Sequence, residues 1–495
     1  MRILIATSEA EPFARTGGLG DVCGSLPKAL AALGHEVSVI LPAYRCALQA
    51  GQSITPTGCE FDVQIGAKKV RGRILQSRLP KSNVPVYLVE QSDYFDRPGV
   101  YADAEGVEYK DNCERFVFFC RGVLEAVKRM ELRTELIHLN DWTTGLIPAY
   151  LKTDLRGVPP YDSIATLLTI HNLAYQGTFW HWDMLLTGLD WRYFNWRQME
   201  FHGNLNLLKT GLVFTDAVNA VSPTYAAEIQ EAENGCGLDG LLSHRSDVLS
   251  GIVNGVDYDQ WNPATDPQLA ANYDIATVSA GKPICKAALQ REMGLPQRAE
   301  VPLIGLVGRL VEQKGIDLAA AVIQQWAGSV DAQWALLGNG SKPYEEQLTK
   351  LAAQFPERVA VKIGFADSLA RRIEAGADMF LMPSRYEPCG LSQLYSLKYG
   401  TVPVVRATGG LRDTVTDLSP ATLTAGTATG FCFEEYTPAA LAIALQRACR
   451  SYAQPEVWKQ LISNGMRQDW SWTASAAKYV ALYQQIIARR REARA

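Results

Sequence analysis

Residues 2–41 read RILIATSEAEPFARTGGLGDVCGSLPKALAALGHEVSVIL and have the pattern of a strand, a glycine-rich turn, a helix and a second strand. The apolar run at 2–7 predicts a buried strand, residues 16–20 a turn, residues 21–33 a helix and residues 35–41 the next strand. Such a βαβ unit places its first loop at the carboxyl end of a strand, where α/β sheets bind ligands.

The same alternation of short apolar runs and amphipathic helical stretches continues along the chain and predicts parallel sheets covered by helices on both faces. Further strands are predicted at 84–89, 136–139, 164–170 and 217–221, and a second series at 302–308, 334–338, 359–365, 379–383 and 402–405. We therefore predict an α/β protein with two Rossmann-like, doubly wound domains, at residues 1–257 and 258–473. The apolar pattern of residues 474–495 predicts an amphipathic helix that could cross back to the first domain.

Length and composition agree with this organisation. The 495 residues exceed the roughly 250–300 that one hydrophobic core supports. With 48 Lys plus Arg against 52 Asp plus Glu, the net charge of −4 argues against nucleic acid or an anionic membrane as a partner. The ten cysteines include no CxxC pair, and no apolar run approaches the ~18 residues of a membrane span. We expect a soluble, cytoplasmic protein with reduced thiols.

Metal chemistry finds little support in the sequence. The six histidines are scattered without ligand spacing, and the DxD triplet Asp257-Tyr258-Asp259 lies between the two domains. We predict neither a metal site nor a cofactor.

Two loops that follow predicted strands carry groups able to hold an anion. In the first, Arg15 precedes the run 16–21, where bare glycines and a helix N-terminus would let a ligand approach the backbone. The run matches neither a P-loop nor GxGxxG, and a tight structural turn fits it equally. In the second, Arg309 and Lys314 could flank a diphosphate, although two solvated bases on an exposed loop also fit the pattern.

The strongest signal is the loop 383–392, PSRYEPCGLS, between a predicted strand and a helix. Pro388 fixes the turn, Gly390 exposes N–H groups at the helix start, and Glu387 is left at the carboxyl end of the strand. A carboxylate beside an anion site indicates that the site also binds a sugar hydroxyl or stabilises a carbon that becomes positively charged. The run Thr408-Gly409-Gly410 adds a further glycine turn after a strand.

Two loops in the first half complete the set. Asp141 and Trp142 follow one predicted strand, and His171 follows the next, although a lone histidine at a strand end is also typical of a core residue. The stretch 179–201 is dense in aromatic residues, whose faces could stack on sugar rings or pack on each other.

Taken together, five segments resemble bacterial glycogen synthases and starch synthases, over nearly the whole chain and in the same order: RTGGLGDV, HNLAYQG, SPTYAAEI with the later NGVD, GRLVEQKG, and SRYEPCGLSQLYSLKYGTVPVVRATGGLRDTV. The resemblance implies a GT-B fold, in which two Rossmann-like domains face each other across a cleft. It also implies an ADP-glucose-dependent retaining glucosyltransferase that extends the non-reducing end of an α-1,4-glucan such as glycogen or a starch-like polymer.

The resemblance implies roles for individual residues. The catalytic set would be Glu387, His171, Arg309, Lys314 and Asp141. Besides Arg309 and Lys314, the residues that would bind the nucleotide sugar are Arg15, Gly17, Gly18, Asp21, Asn254, Phe365, Cys389, Gly390, Leu391, Ser392, Thr408 and Gly409. The acceptor would contact Trp142, Asn172 and Tyr109.

Three positions depart from the family pattern. Arg15 stands where the family usually has lysine, residues 138–144 lack the histidines often found around Asp141-Trp142, and Ser392 replaces the commoner threonine. Arginine and lysine differ in donor geometry, so the ligand contact of Arg15 is the most affected of these roles.

Other functions remain open on the sequence alone. A synthase that uses UDP-glucose, or one with a small sugar as acceptor, would share the fold, since Phe365 would stack equally on uracil. A glycogen phosphorylase would need a lysine bound to pyridoxal phosphate and a much longer chain. A catalytically silent glucan-binding subunit would need only the aromatic stretch and not the charged residues.

Overall fold

The computed structural model describes residues 1–492, which form two compact α/β units. The first unit contains Met1–Val221, Ala226–Gly255 and residues 472–492, and the second contains Ser222–Tyr225 and Val256–Ser471. Apart from residues 222–225, the chain changes units at residues 255–256 and 471–472; the expected bounds were 257 and 473. Residues 493–495 of the expected final segment lie outside the described residues.

The first unit is built on a nine-stranded sheet with the order β12-β11-β7-β6-β1-β2-β5-β4-β3. A separate three-stranded antiparallel sheet has the order β8-β10-β9. Their strands are β1 Arg2–Ala6, β2 Glu36–Pro42, β3 Thr55–Ile65, β4 Lys68–Arg78, β5 Pro85–Glu90, β6 Leu136–Asn140, β7 Ala165–Ile170, β8 Thr178–Phe179, β9 Glu200–Phe201, β10 Asn204–Asn206, β11 Ala217–Ala220 and β12 Leu249–Gly251.

The sequence-based prediction of parallel strands is wrong at one edge of the large sheet. There β3 and β4 form an antiparallel hairpin, and β4 also runs antiparallel to β5. These two strands alternate charged, exposed residues with apolar, buried ones, so they lack the continuous apolar run by which a buried parallel strand is recognised. The remaining strands of this sheet run parallel.

The second unit is built on a six-stranded, all-parallel sheet with the order β15-β14-β13-β16-β17-β18. Its strands are β13 Leu303–Val307, β14 Gln333–Gly338, β15 Val359–Ile363, β16 Met379–Met382, β17 Val402–Arg406 and β18 Phe431–Phe433. This is the Rossmann order 3-2-1-4-5-6, which reverses between β13 and β16. The strand order of the first unit reverses in the same way between β1 and β6.

Helices cover the faces of both large sheets. They are α1 Gly18–Ala32, α2 Arg45–Leu48, α3 Ser92–Phe95, α4 Asn112–Arg129, α5 Leu146–Lys152, α6 Met184–Thr187, α7 Leu207–Phe214, α8 Pro223–Glu228, α9 Asp239–His244, α10 Val278–Glu292, α11 Ile316–Trp326, α12 Lys342–Gln354, α13 Asp367–Gly376, α14 Ser392–Lys398, α15 Gly409–Thr414, α16 Pro420–Thr424, α17 Pro438–Tyr452, α18 Pro455–Arg467 and α19 Trp472–Glu492. None of these described helices is long and apolar enough to cross a membrane.

The last helix, α19, packs on α1 and β7 in the first unit. Two of its tyrosines contact buried polar side chains of the large sheet. Tyr483 Oη lies 2.8 Å from His138 Nδ1 in β6, and Tyr479 Oη accepts a hydrogen bond from Asn219 Nδ2 in β11 (3.2 Å). Burial lowers the pKa of His138 to about 3, so its ring is neutral.

Candidate active site

Glu387 lies in the loop 383–391, which joins β16 to α14 at the carboxyl edge of the second sheet. Its side chain is buried, and Oε2 accepts hydrogen bonds from Ser384 Oγ (3.1 Å) and from Lys314 Nζ (2.5 Å). A carboxylate in such a place needs a cation and hydrogen-bond donors to replace the water it has lost. The structure therefore brings together Glu387 and Lys314, both predicted to be catalytic.

Lys314 reaches Glu387 because two backbones approach each other closely. Gly315 follows the 3₁₀ turn Glu312–Lys314 and has a φ of +68°. A Cβ on Gly315 would lie 2.0 Å from the carbonyl oxygen of Pro383. Glycine is thus required here both for the left-handed conformation and for the space.

Arg309 belongs to the same loop after β13 and is exposed. Its Nη2 donates a hydrogen bond to Gln313 Oε1 (3.3 Å), and the carbonyl oxygen of Gln313 accepts one from the Arg385 N–H (2.8 Å). The guanidinium group therefore lies beside the loop that carries Glu387, with exposed surface for a ligand. Its predicted contact with a diphosphate stays a prediction.

The glycine turn 408–410 packs directly on the loop of Glu387. A Cβ on Gly409 would lie 2.0 Å from the carbonyl oxygen of Glu387, and a Cβ on Gly410 would lie 2.0 Å from that of Cys389. The Gly410 N–H also donates to the Glu387 carbonyl oxygen (3.1 Å). The predicted residues Thr408 and Gly409 are thus placed against the Glu387 loop, and both are buried.

Sequence reasoning missed Gln393, which stabilises this loop by hydrogen bonds to its backbone. Its buried Nε2 donates to the carbonyl oxygens of Cys389 (3.1 Å) and Gly390 (3.0 Å) and to Thr414 Oγ1 (3.1 Å). Gly390 has a φ of +74°, and a Cβ there would lie 2.4 Å from Gln393 Oε1. The available signal was a glutamine in the first turn of α14, three residues after the loop's glycine.

The other nucleotide-sugar residues predicted in this unit differ in exposure. Phe365 is 78% exposed in the turn after β15, so its ring face is open to a ligand. Leu391 and Ser392, at the start of α14, are partly buried, and Cys389 is buried.

The DxD triplet closes a local turn. Asp257 Oδ1 accepts a hydrogen bond from the Asp259 N–H (3.0 Å), and Asp257 Oδ2 accepts one from Gln260 Nε2 (3.4 Å). Within residues 1–492, no group of three or more His, Cys, Asp or Glu side chains is arranged to hold a metal ion.

In the first unit, Asp141 lies at the end of β6, where the strand order reverses. Its backbone has a φ of +54°, a conformation that costs energy for a residue with a Cβ. Oδ1 accepts a hydrogen bond from the backbone N–H of His171 (2.7 Å), at the end of the neighbouring strand β7. Burial raises the pKa of Asp141 to about 7, against an ordinary value of 3.8, although backbone N–H donors oppose the shift.

The ring of His171 is held in one tautomer. Nε2 lies 2.9 Å from Asn140 Oδ1, and the Asn140 amide nitrogen donates to the carbonyl oxygen of Ala6 (3.0 Å). Since Asn140 Oδ1 can only accept, Nε2 must donate. Burial lowers the pKa of His171 to about 3, so the ring is neutral and Nδ1 is an acceptor. Asp141 and His171 thus form one cluster, because β6 and β7 are neighbours in the sheet.

The glycine-rich loop after β1 is organised by Glu9, a buried residue that sequence reasoning missed. Its carboxylate accepts hydrogen bonds from Thr16 Oγ1 (2.7 Å), Tyr101 Oη (2.7 Å), the Gly17 N–H (3.3 Å) and the Thr16 N–H. The signal was an acidic residue between a buried strand and a glycine turn. The Glu9 carboxylate thus already binds two of the N–H groups that the sequence assigned to an anionic ligand.

The structure also corrects the bounds of this loop. The predicted turn at 16–20 ends early, because α1 begins at Gly18 after the extended residue Gly17. Arg15 is exposed and paired with Asp21 (Nε to Oδ1, 3.0 Å). Burial raises the pKa of Asp21 to about 6, and Arg15 opposes that shift.

The three residues predicted to contact the acceptor lie in different surroundings. Trp142, directly after Asp141, packs edge-on against Phe116 with 4.8 Å between ring centroids. Asn172 Oδ1 accepts a hydrogen bond from the Ala174 N–H (3.1 Å) and so shapes the loop after His171.

Tyr109 lies just before α4. Its ring packs under the guanidinium groups of Arg97 (4.8 Å) and Arg115 (4.9 Å), and its Oη accepts a hydrogen bond from the Gly99 N–H (3.2 Å). Its predicted contact with the acceptor stays a prediction.

Asn254 differs from the other predicted residues of the first unit because one polar atom is unsatisfied. The residue is buried, and its Oδ1 has no hydrogen-bond partner among the described residues. A buried acceptor of this kind is costly unless a ligand or water satisfies it.

Two Rossmann-type sheets in one chain, each with charged or polar side chains at its strand-order reversal, define a glycosyltransferase of the GT-B fold. Residues 2–244 match the family described as starch synthase catalytic domain, and residues 294–466 match glycosyl transferases group 1. The chain belongs to the glycogen synthase and starch synthase family.

Individual relatives support this membership. The chain is 48% identical to a glycogen synthase of Rhodopirellula baltica, over 100% of this chain and 99% of the relative. It is 46% identical to a glycogen synthase of Anaeromyxobacter sp. strain Fw109-5, over 99% and 100% of the two chains.

Two solved structures share the fold. The catalytic domain of starch synthase IV from Arabidopsis thaliana, bound to ADP and acarbose, superimposes with a TM-score of 0.89 at 32% identity, over 98% of this chain and 99% of that one. Sucrose-phosphate synthase from Thermosynechococcus elongatus superimposes with a TM-score of 0.59 at 19% identity, over 99% of each chain, and shows the fold alone.

We predict that Asp141→Asn stabilises the protein, relative to wild type, increasingly as the pH rises from about 4 to about 7. Because the folded state raises the pKa of Asp141, wild type loses stability as this carboxyl group ionises, whereas the amide keeps the hydrogen bond from His171 without ionising. The gain should be at most about 4 kcal/mol above pH 7. Thermal unfolding at pH 5 and pH 8, with the exposed Asp259→Asn as control, measures it; an equal difference in Tm at both pH values would contradict the burial argument.

We also predict that Glu9→Ala releases the glycine-rich loop. The N–H groups of Thr16 and Gly17 lose their acceptor, which should cost about 1–3 kcal/mol and speed trypsin cleavage after Arg15 about tenfold or more. Glu11→Ala, in the same segment, is the control and should leave the cleavage rate near that of wild type. Cleavage as slow in Glu9→Ala as in the control would show that the loop holds its shape without the carboxylate.

Proposed function

We propose that this protein transfers glucose from ADP-glucose to the 4-hydroxyl at the non-reducing end of an α-1,4-glucan, with retention of the α configuration. Membership of the family makes it a glucosyltransferase of glycogen or starch synthesis. The observation that carries the proposal is the ion pair between Glu387 and Lys314 at the strand-order reversal of the second sheet. The ADP bound in the starch synthase IV structure supports ADP-glucose as the donor.

Lys314 and Arg309 would stabilise the leaving group. Transfer breaks the bond between the anomeric carbon and a diphosphate oxygen, and the bonding electrons leave negative charge on ADP. The two cations lie on one loop, and Lys314 is held by Glu387 in a fixed position before any ligand arrives. Loss of one such preorganised donor typically reduces the rate by ~10²–10³.

Glu387 would act on the sugar. Both hydrogen bonds to its carboxylate go to Oε2, so Oε1 is left for a ligand. A carboxylate so placed can stabilise positive charge at the anomeric carbon or orient a sugar hydroxyl. In a front-face displacement the acceptor hydroxyl attacks the anomeric carbon on the face from which the diphosphate departs, which accounts for retention. The leaving phosphate itself takes the proton of that hydroxyl. The proposal includes no metal ion or other cofactor.

The cluster of Asp141 and His171 would bind sugar hydroxyls. Neutral His171 offers an acceptor at Nδ1, and its orientation is fixed by Asn140. Phe365, with its exposed ring, would stack on the base of the nucleotide. We place the protein in the cytoplasm, where its ten free cysteines would stay reduced.

The experiment that tests this function incubates the purified protein with glycogen or a maltooligosaccharide and either ADP-glucose or UDP-glucose. Nucleoside diphosphate release and chain length are followed in parallel. Extension with ADP-glucose alone is expected. Release from UDP-glucose would favour the rival donor, and glucan binding without turnover on either donor would identify a silent subunit.

We predict that Glu387→Gln lowers kcat by about 10² or more and leaves the Kd for ADP near that of wild type. The amide oxygen can still accept from Ser384, so the loop keeps its shape, but the charge that faces the sugar is lost. Glu434→Gln, which removes an exposed carboxylate paired with Arg412, is the matched control. Wild-type turnover in Glu387→Gln would remove Glu387 from the mechanism.

A further inference from the structure

The segment 222–225, SPTY, contacts the Glu387 loop although it lies far from it in the sequence. It follows β11, which ends at Ala220, yet it belongs to the second unit. Ser222 is fully buried, and its Oγ donates a hydrogen bond to the carbonyl oxygen of Pro388 (2.8 Å), the residue directly after Glu387. A side chain 166 positions away thus binds the backbone of this loop.

The hydroxyl group of Ser222 is held in one orientation. Its oxygen accepts a hydrogen bond from the Tyr225 N–H (3.1 Å), at the third residue of α8. This is the usual geometry of an N-cap, in which a serine satisfies an N–H group of the first helical turn. Since a carbonyl oxygen can only accept, the hydroxyl hydrogen must point to Pro388.

Two further hydrogen bonds fix the segment on α15. Asp413 Oδ2 accepts from the Thr224 N–H (2.9 Å), and Asp413 Oδ1 accepts from Thr224 Oγ1 (2.6 Å). The same helix supplies Gly410, whose N–H donates to the Glu387 carbonyl oxygen (3.1 Å). Helix α15 therefore binds both the Glu387 loop and the segment that binds Pro388.

Four consecutive carbonyl oxygens of the Glu387 loop are thereby satisfied. Those of residues 387 and 388 accept from Gly410 and Ser222, and those of residues 389 and 390 accept from Gln393 Nε2. A buried carbonyl group without a partner is costly, so these bonds favour one path of the backbone. The position of the Glu387 carboxylate depends on that path.

Loss of the Ser222 hydroxyl should affect the sugar more than the diphosphate. The cations that would bind the diphosphate, Arg309 and Lys314, lie on another loop, after β13. Gln393 would still hold residues 389 and 390 at the start of α14. A displacement of about 1 Å from the productive geometry can reduce a rate by about 10².

We propose that Ser222 is a positioning residue for Glu387. Its hydroxyl group fixes the carbonyl group of Pro388 and so holds the Glu387 carboxylate in the geometry that serves glucosyl transfer. Asp413 takes part by holding the segment 222–225 on α15. This role rests on the proposed function, because it requires that Glu387 acts on the sugar.

The first test compares Ser222→Ala with Ser419→Ala. Ser419 Oγ accepts from the Thr422 N–H (3.2 Å) at the start of α16, so both variants lose an N-cap serine. Thermal unfolding checks that both variants fold. Ser222→Ala should lower kcat about tenfold or more and leave the Kd for ADP within about twofold, whereas Ser419→Ala should change neither.

Asp413 supplies a second test with a conservative variant, which also serves if Ser222→Ala does not fold. Asp413→Ala removes both contacts with Thr224 and should lower kcat about tenfold, again without a change in the Kd for ADP. Asp413→Asn should keep kcat within about threefold of wild type, because the amide can accept from the Thr224 N–H and donate to its hydroxyl oxygen. A loss in Asp413→Asn as large as that in Asp413→Ala would contradict the role.

Two readouts separate positioning from a general loss of stability. If Ser222 acts through Glu387, Ser222→Ala should lower kcat less than about twofold when Glu387 is already replaced by glutamine. Amide hydrogen exchange needs no turnover. The peptide 383–392 should exchange about tenfold faster or more in Ser222→Ala than in Ser419→Ala.

The outcomes that would overturn the role are distinct. One is an unchanged kcat in Ser222→Ala, and another is an equal loss of kcat in wild-type and Glu387→Gln backgrounds. An equal loss in Ser419→Ala would assign the effect to the missing cap alone. Absence of transfer in wild type, together with faster exchange of the peptide 383–392 in Ser222→Ala, would refute the proposed function and still support the hold of Ser222 on the loop.

Discussion

The reversal of strand order in each large sheet is the constraint on which the rest of the structure depends. On either side of the reversal the right-handed crossovers carry the chain to opposite faces of the sheet, so the loops at that point diverge and leave a crevice. In the first unit the loops concerned follow β1 and β6, and in the second they follow β13 and β16. They carry Glu9 and Asp141 in the one and Lys314 and Glu387 in the other, so topology alone brings residues distant in sequence into two polar clusters.

Each cluster is held by close packing of backbone and by hydrogen bonds, and in the second unit also by the ion pair of Lys314 and Glu387. Gly315 and Gly409 let their loops approach the Glu387 loop closely, which places Lys314 and Glu387 in contact. In the first unit the last helix also fixes strand β6. His138 Nδ1, two residues before Asn140, lies 2.8 Å from Tyr483 Oη of that helix. Such preorganisation lets polar groups stabilise charge that develops during a reaction without first rearranging.

A site residue could be predicted when it follows a recognisable strand pattern. It could not be predicted when its role depends on neighbours that only the folded chain brings close. Glu387 was predicted because it lies in a loop directly after an apolar run. The same pattern left Lys314 open to a solvated surface role, which the resemblance decided, and Phe365 came only from the resemblance to a family. Glu9 and Gln393 were missed because each one organises a loop by hydrogen bonds from a buried position. The periodicity of a sequence does not show which loop folds onto a given side chain. The hairpin of β3 and β4 was missed because its strands alternate exposed charged residues with buried ones. They lack the continuous apolar runs from which the other strands were predicted.

The central claim is that the ion pair of Lys314 and Glu387 marks the place where the nucleotide sugar reacts. A crystal structure of the protein with ADP tests it most directly. We expect diphosphate oxygens within hydrogen-bond distance of Lys314 Nζ and Arg309, with the base against Phe365. A diphosphate bound away from both cations, for example only on the glycine-rich loop at Arg15, would contradict it.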